Sequence, residues 1–233
     1  MAKRIRKRSW FRMKPGLEEK MRELVMGESA SAALEEWSQY LSGLEEVPYN
    51  YRGDHVAEAV DVAKQLAQET SADLDIVVIA TWLHDCANPN TADTPLPTGI
   101  THCEACASKA REFLVSEGID APAVKRVCDA IRKHGGYTLE NPLESLEAQI
   151  VWEADKLTKV GLTSVIRHII NGVRYEPNPS MKGILQRVQK VMPLMREIAA
   201  SMMTEPGKRM ATKRLRNSED FINRPEKELY FLE

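Results

Sequence analysis

From residue 16 onward, apolar side chains recur three and four positions apart, the period of helices that bury one stripe. In "HVAEAVDVAKQLAQE", Val56, Val60, Ala63 and Ala67 share a face, with Ala59 and Leu66 beside them. The next segment breaks this rhythm: "IVVIATWL" is an eight-residue run with almost no polar interruption. Its β-branched residues would suit a buried strand, but no other segment offers that strand a partner. The run is therefore read as a buried helix, from Ser71 as N-cap to His84. "THCE" fits a capping box with Thr101 as N-cap and Glu104 reaching back, opening a helix to about Ser116 that stops at Gly118. Asp120 caps another, with Pro122 in its first turn, ending at Gly135 and Gly136. Further helices are expected over 143–160, with Leu146, Ile150, Ala154 and Leu157 on one side, over 162–171, and over 181–203 with a kink at Pro193. Residues 16–26 and 31–41 carry the same period. The fold class expected is all-α, a helical bundle, with one long irregular connection at 86–100 that contains three prolines.

Composition and charge sharpen this picture in three ways. Residues 1–14 carry seven Lys/Arg and no acid, so the remaining chain is acidic at about −9. We divide the chain into a basic N-terminal arm (1–15), an N-terminal helical extension (16–50), a main domain (51–222) and a C-terminal tail (223–233). The arm contains Trp10 and Phe11, which gives a nucleic-acid-binding alternative through phosphate contacts and base stacking; a solubilising tail is the plainer reading. No apolar run reaches membrane-spanning length, no signal-peptide core follows the basic start, and a reduced cytoplasmic setting is expected. The cysteines at 86, 103, 106 and 128 show no disulfide framework, and the lone "CEAC" at 103–106 reads as helical filler.

Chemistry concentrates in a few residues, for the chain has only five histidines. His55 lies near the start of the first strongly amphipathic helix, and His84 and Asp85 end the apolar run. Asp155, in "WEADKL", borders an apolar stripe, where an unpaired carboxylate would cost several kcal/mol. A metal ion or a basic side chain would answer that cost. His168, in "VIRHII", reads as a core or edge histidine.

The order and spacing of His55, His84–Asp85 and Asp155 resembles the HD superfamily of metal-dependent phosphohydrolases. "YRGDHVAEAVDVAKQLA", "DIVVIATWLHD" and "LEAQIVWEADKLTKVG" are similar to that family's ligand-bearing helices, and "MMTEPGKRMATKRLRNSEDFI" to its C-terminal helices. The likeness spans about 50–222 and leaves 1–45 unmatched. It implies an all-helical fold in which the four residues ligate one divalent cation. Two imidazoles and two carboxylates admit Mn, Fe, Co, Ni, Mg or Zn. It further implies hydrolysis of a nucleotide phosphoester or phosphoanhydride by water activated on that cation. Arg52 would fork to phosphate, and Lys156 is a second candidate against a solvent-facing alternative. His102, at the first helical position, is expected to be disfavoured as imidazolium by the helix dipole; Lys109 and Arg132 are more remote options. His102 and His134 are candidates for contacting phosphate or donating a proton, and they also stand where two-metal members place extra ligands. The paired His-His of such members is absent, because Gly135 follows His134, so one cation is favoured over two. That absence also weighs against the alternative of a cyclic (di)nucleotide phosphodiesterase. A metal-binding scaffold without turnover and a di-iron oxygenase are further readings. The implied partner is a small nucleotide rather than a membrane, and oligomeric state is left open.

Overall fold

A computed structural model describes residues 11–228, apart from 40, 41, 44, 47, 48, 88–99, 176 and 177, and without the side chains of 175 and 225–228. Most of the loop at 86–100, and Trp10, therefore lie outside the described residues. Nine helices and no strand occur among those described: α1 (Leu17–Trp37), α2 (Tyr51–Gln68), α3 (Leu74–Leu83), α4 (His102–Ser116), α5 (Ala121–Arg132), α6 (Leu146–Leu157), α7 (Leu162–Tyr175), α8 (Met181–Ala200) and α9 (Glu205–Glu228). The fold is all-α. None of these helices is long and apolar enough to cross a membrane. The helices group into two compact units, one made of the chain to Gly136 with Asn141–Asp155, the other of Tyr137–Glu140 with Lys156–Glu233.

In the first unit α3 is the central element. Every residue from Ile76 to Leu83 is buried, as a helix that is apolar on all sides requires. Helices α1, α2, α4 and α5 pack against it, and their stripes, such as Val56, Val60, Ala107, Ala110 and Val127, complete the core. Asp73, not Ser71, precedes α3 as its N-cap, and its side chain makes no capping bond. Its carboxylate is taken by Arg126, 3.1 Å away, whose other nitrogen holds Glu147 at 2.8 Å. Thr101 caps α4 by accepting from the Glu104 N–H, whereas the Glu104 carboxylate turns to Arg132 and leaves the capping box half made. Gly118, at φ 67°, ends α4 as expected.

The two short helices expected over 16–26 and 31–41 are one continuous helix through Gly27. A single glycine inside a helix costs only about 1 kcal/mol, and the buried series Leu17, Met21, Val25, Ser29, Ala33 runs through it. The helix expected at 143–160 is shorter, with the Ser145 hydroxyl accepting from Ala148 N–H before its first turn. Helix α7 runs four residues beyond the expected end, α8 stops at Ala200, and α9 continues into the segment read as a tail. The end of the basic arm is anchored. Phe11 is 7% exposed and joins the core, Met13 N–H donates to Asp75, and Lys14 donates to the carbonyls of Glu117 and Gly118. A buried Phe11 is withdrawn from base stacking, which removes one support of the nucleic-acid alternative.

The second unit has its own core, in which Val165 of α7 meets Val188, Met192 and Met195 of α8 and Ile222 of α9. Helix α8 passes through Pro193 without ending. His168 is half-buried there, and burial, together with Arg187, holds its imidazole below the ordinary value.

Candidate metal centre

Three helix segments of the first unit bring the predicted donors together. His55 sits one turn into α2, where Gly53 permits close approach to α1: a Cβ at 53 would meet the Met26 sulfur and the Asn50 amide at 2.7 Å. His84 caps the C-terminus of α3 in helical conformation, and Asp85 follows it. Asp155 lies near the end of α6. His55 Nε2 is 3.1 Å from Asp155 Oδ1 and 3.7 Å from Asp85 Oδ2. His84 Nε2 is 3.9 Å from Asp155 Oδ1 and 3.7 Å from Asp85 Oδ2. Donors around one cation with bonds of about 2.0–2.2 Å stand roughly 3–4 Å apart; His55, His84 and Asp155 form a group of mutually close donors, and Asp85 Oδ2 lies 3.7 Å from both of its imidazoles.

His84 provides the test of fit. Its Nδ1 lies 2.7 Å from the Thr81 carbonyl, which fixes the proton there and leaves Nε2 as a bare lone pair. That Nε2 is buried and has no hydrogen-bonding partner among the described residues. Leaving a buried acceptor unmet costs about 1–3 kcal/mol, and a cation is the partner that a backbone-oriented imidazole is built to meet. Burial also holds the His84 imidazole below its ordinary value.

Asp85 faces a second set through its other oxygen. His102 Nε2 donates to Asp85 Oδ1 at 2.8 Å, and His134 Nε2 lies 3.7 Å from the same oxygen. Asp85, His102 and His134 thus form a further group of mutually close donors. The rings of His55, His84, His134 and His102 follow one another edge to face, with centroids 5.1–5.8 Å apart. Burial alone would raise the Asp85 carboxyl, but His84, His102, His134 and His55 hold it well below its usual range. Burial likewise pulls His102 and His134 down, and their bonds to Asp85 outweigh it, raising them to about 9 and about 10. For His102 this reverses the expectation drawn from the helix dipole: a carboxylate at 2.8 Å outweighs a partial charge spread over a helix end.

Residues 52–159 match the HD domain family. They are an HD domain. Among solved structures, the fold is similar to that of YpgQ from Bacillus subtilis in complex with ADP, at 21% identity and a TM-score of 0.62, covering 93% of this chain and 100% of that one. A predicted HD superfamily hydrolase from an uncultured Thermotogales bacterium has 23% identity and a TM-score of 0.59, covering 92% and 93%. An HD-superfamily hydrolase from Bacillus thuringiensis has 20% identity and a TM-score of 0.60, covering 92% and 98%. At such identities the likeness is one of fold. No curated protein sequence matches the chain.

Within the HD domain, Arg52 Nη1 lies 3.8 Å from Asp85 Oδ2, its side chain 18% exposed. Lys156 belongs to the second unit and is buried, not solvent-facing, with Nζ 5.9 Å from the Tyr137 ring centroid. Lys109 pairs with Glu28 and Arg132 with Glu104. Two features escaped the sequence reading. Tyr51 stacks parallel to His55 at 6.2 Å. The two sulfurs read as filler touch the site: Cys106 Sγ is 3.5 Å from His102 Nε2, and Cys103 Sγ is 4.0 Å from His134 Nε2. The spacing of His102 and Cys106, four residues apart on one helix face, was the available signal.

Proposed function

We propose that the chain is a metal-dependent phosphohydrolase that cleaves a phosphoester or phosphoanhydride bond of a nucleotide. The observation that carries this reading is the orphaned, buried Nε2 of His84, which groups with His55 and Asp155 and lies 3.7 Å from Asp85 Oδ2. A divalent cation held by these four would supply Lewis acidity toward water and toward a phosphoryl oxygen. The ligand side chains do the holding: backbone-anchored His84 fixes the direction of approach, while Asp85 and Asp155 offset the cation's charge. Arg52, charged and only partly covered, supplies a planar fork for phosphoryl oxygens beside Asp85. Asp85 Oδ1, His102 and His134 form a further donor group, and one cation is favoured over two. Support for a nucleotide comes from YpgQ, the similar fold solved with ADP.

The test pairs elemental analysis with a phosphate- and pyrophosphate-release screen over nucleoside mono-, di- and triphosphates, each with several divalent ions. Release that requires the added ion is expected. A loaded protein that releases nothing from any nucleotide would instead be a binding scaffold.

A further inference from the structure

We propose that Ser29 is a positioning residue for the Arg52 fork: through the carboxamide of Asn50 it holds the first turn of α2 in the direction that sends Arg52 toward phosphate. This rests on reading Arg52 as the phosphate contact of a phosphohydrolase. Ser29 lies on α1, outside the residues 52–159 that match the HD domain.

The tie between the two helices is continuous. Asn50 is the N-cap of α2, and its Oδ1 accepts from the Gly53 N–H at 3.0 Å. Its Nδ2 donates to Ser29 Oγ at 2.9 Å, and that hydroxyl donates to the Met26 carbonyl at 3.1 Å. The directions are fixed, because turning the amide over would set its NH2 against the Gly53 N–H. Ser, Asp and Asn cap helices about equally well, but of these only Asn has a separate oxygen and NH2 to reach both partners at once. Ser29 is 2% exposed, so water does not take the place of its hydroxyl. Gly53 adds an independent observation. A Cβ there would meet Asn50 Nδ2 and the Met26 sulfur at 2.7 Å and Ser29 Oγ at 3.0 Å, so the Met26–Ser29 turn of α1 lies directly against the first turn of α2. Trp37, further along α1, donates to the Tyr49 carbonyl at 3.0 Å. Helix α1 thus grips the entry to α2 at two points.

What this grip controls is the aim of Arg52. His55, one turn further on, is steadied at its far end by Asp155 at 3.1 Å. Arg52 ends a longer side chain and meets Asp85 Oδ2 at 3.8 Å, so its direction depends more on the turn that carries it. Without the Ser29 hydroxyl, Asn50 keeps its capping bond but loses its anchor on α1. A phosphate contact misplaced by a fraction of an ångström lowers the rate without emptying the metal centre.

The test measures metal content, melting temperature and phosphate release per bound metal in full-length variants, with the nucleotide and ion selected by the release screen. Ser29→Ala and Asn50→Ser are each expected to lower release by about three- to tenfold, with metal content unchanged. Asn50→Ser keeps a cap of similar rank and should melt close to the unaltered chain. In an Arg52→Ala background, Ser29→Ala should change release by less than about twofold, because the group it aims is gone. The same proportional loss with and without Arg52 would mean a purely structural role and overturn the assignment. Metal lost in Asn50→Ser would overturn it too, by moving the support from Arg52 to His55. Release unchanged in both single variants would overturn it while leaving the phosphohydrolase reading in place. An unaltered chain that releases nothing from any nucleotide would overturn both.

Discussion

At the scale of single residues, the centre depends on side chains whose orientation is set before any ligand arrives. The Thr81 and Ile131 carbonyls each hold one ring nitrogen, so two imidazoles present the opposite nitrogen without searching. Substituting His84 or Asp85 by Ala is expected to lower metal content and ion-dependent phosphate release together, by at least about a hundredfold. Elemental analysis and a turnover assay check the pair. Arg52→Ala should separate the two readouts: bound metal stays, while turnover falls about ten- to hundredfold with the lost charge-assisted hydrogen bonds. If Arg52→Ala strips the metal, its role is to hold Asp85 in place rather than to meet phosphate. The four candidate ligands could be singled out in the sequence because their types and order are unusual. The division of labour between the two oxygens of Asp85 was not, for it depends on a side-chain rotation that no spacing encodes.

At the scale of helices, the period of apolar positions located α2, α4 and α5 well, because each has a wide stripe and a recognisable cap. It failed where a cap residue had other work. Asp73 is drawn to Arg126, and α1 continues through a glycine because its buried series bridges it. Glu18 shows how α1 is held, since its carboxylate takes both Lys64 Nζ and Trp82 Nε1. Burial would raise this carboxyl, but those two bonds lower it below its unfolded value. The stabilisation is thus complete above about pH 4.5 and is lost as pH falls through the depressed folded-state value. Thermal melts from pH 7 to 3 should show a shallower acid limb for Glu18→Gln than for the unaltered chain. Gly53→Ala probes the contact between α1 and α2. The added methyl meets atoms at 2.7 Å, so a loss of about 1–3 kcal/mol is expected in denaturant melts. Weaker metal binding should accompany it, because residue 53 lies between Arg52 and His55.

At the scale of the whole molecule, all the donors described lie in the first compact unit, and the second unit has a core of its own. This partition was invisible in the sequence, where the helical period runs on without a linker. Metal should therefore stabilise the chain unevenly. At a free concentration about a hundred times its dissociation constant, a cation adds about 2.7 kcal/mol to the unit that binds it. Hydrogen exchange with and without chelator should show the added protection in α2, α3 and α6, and not in α8 or α9. Equal protection across both units would mean that they unfold as one.

From Ile76 to Leu83 helix α3 has no outward face, and this limits how the protein can evolve. A substitution at any position from Ile76 to Leu83 must be answered by a neighbour on α1, α2, α4 or α5, so lone changes there are expected to be purged. Divergence among related chains should collect on the outer surfaces, and the short apolar word that delivers His84 should be among the last to be rewritten.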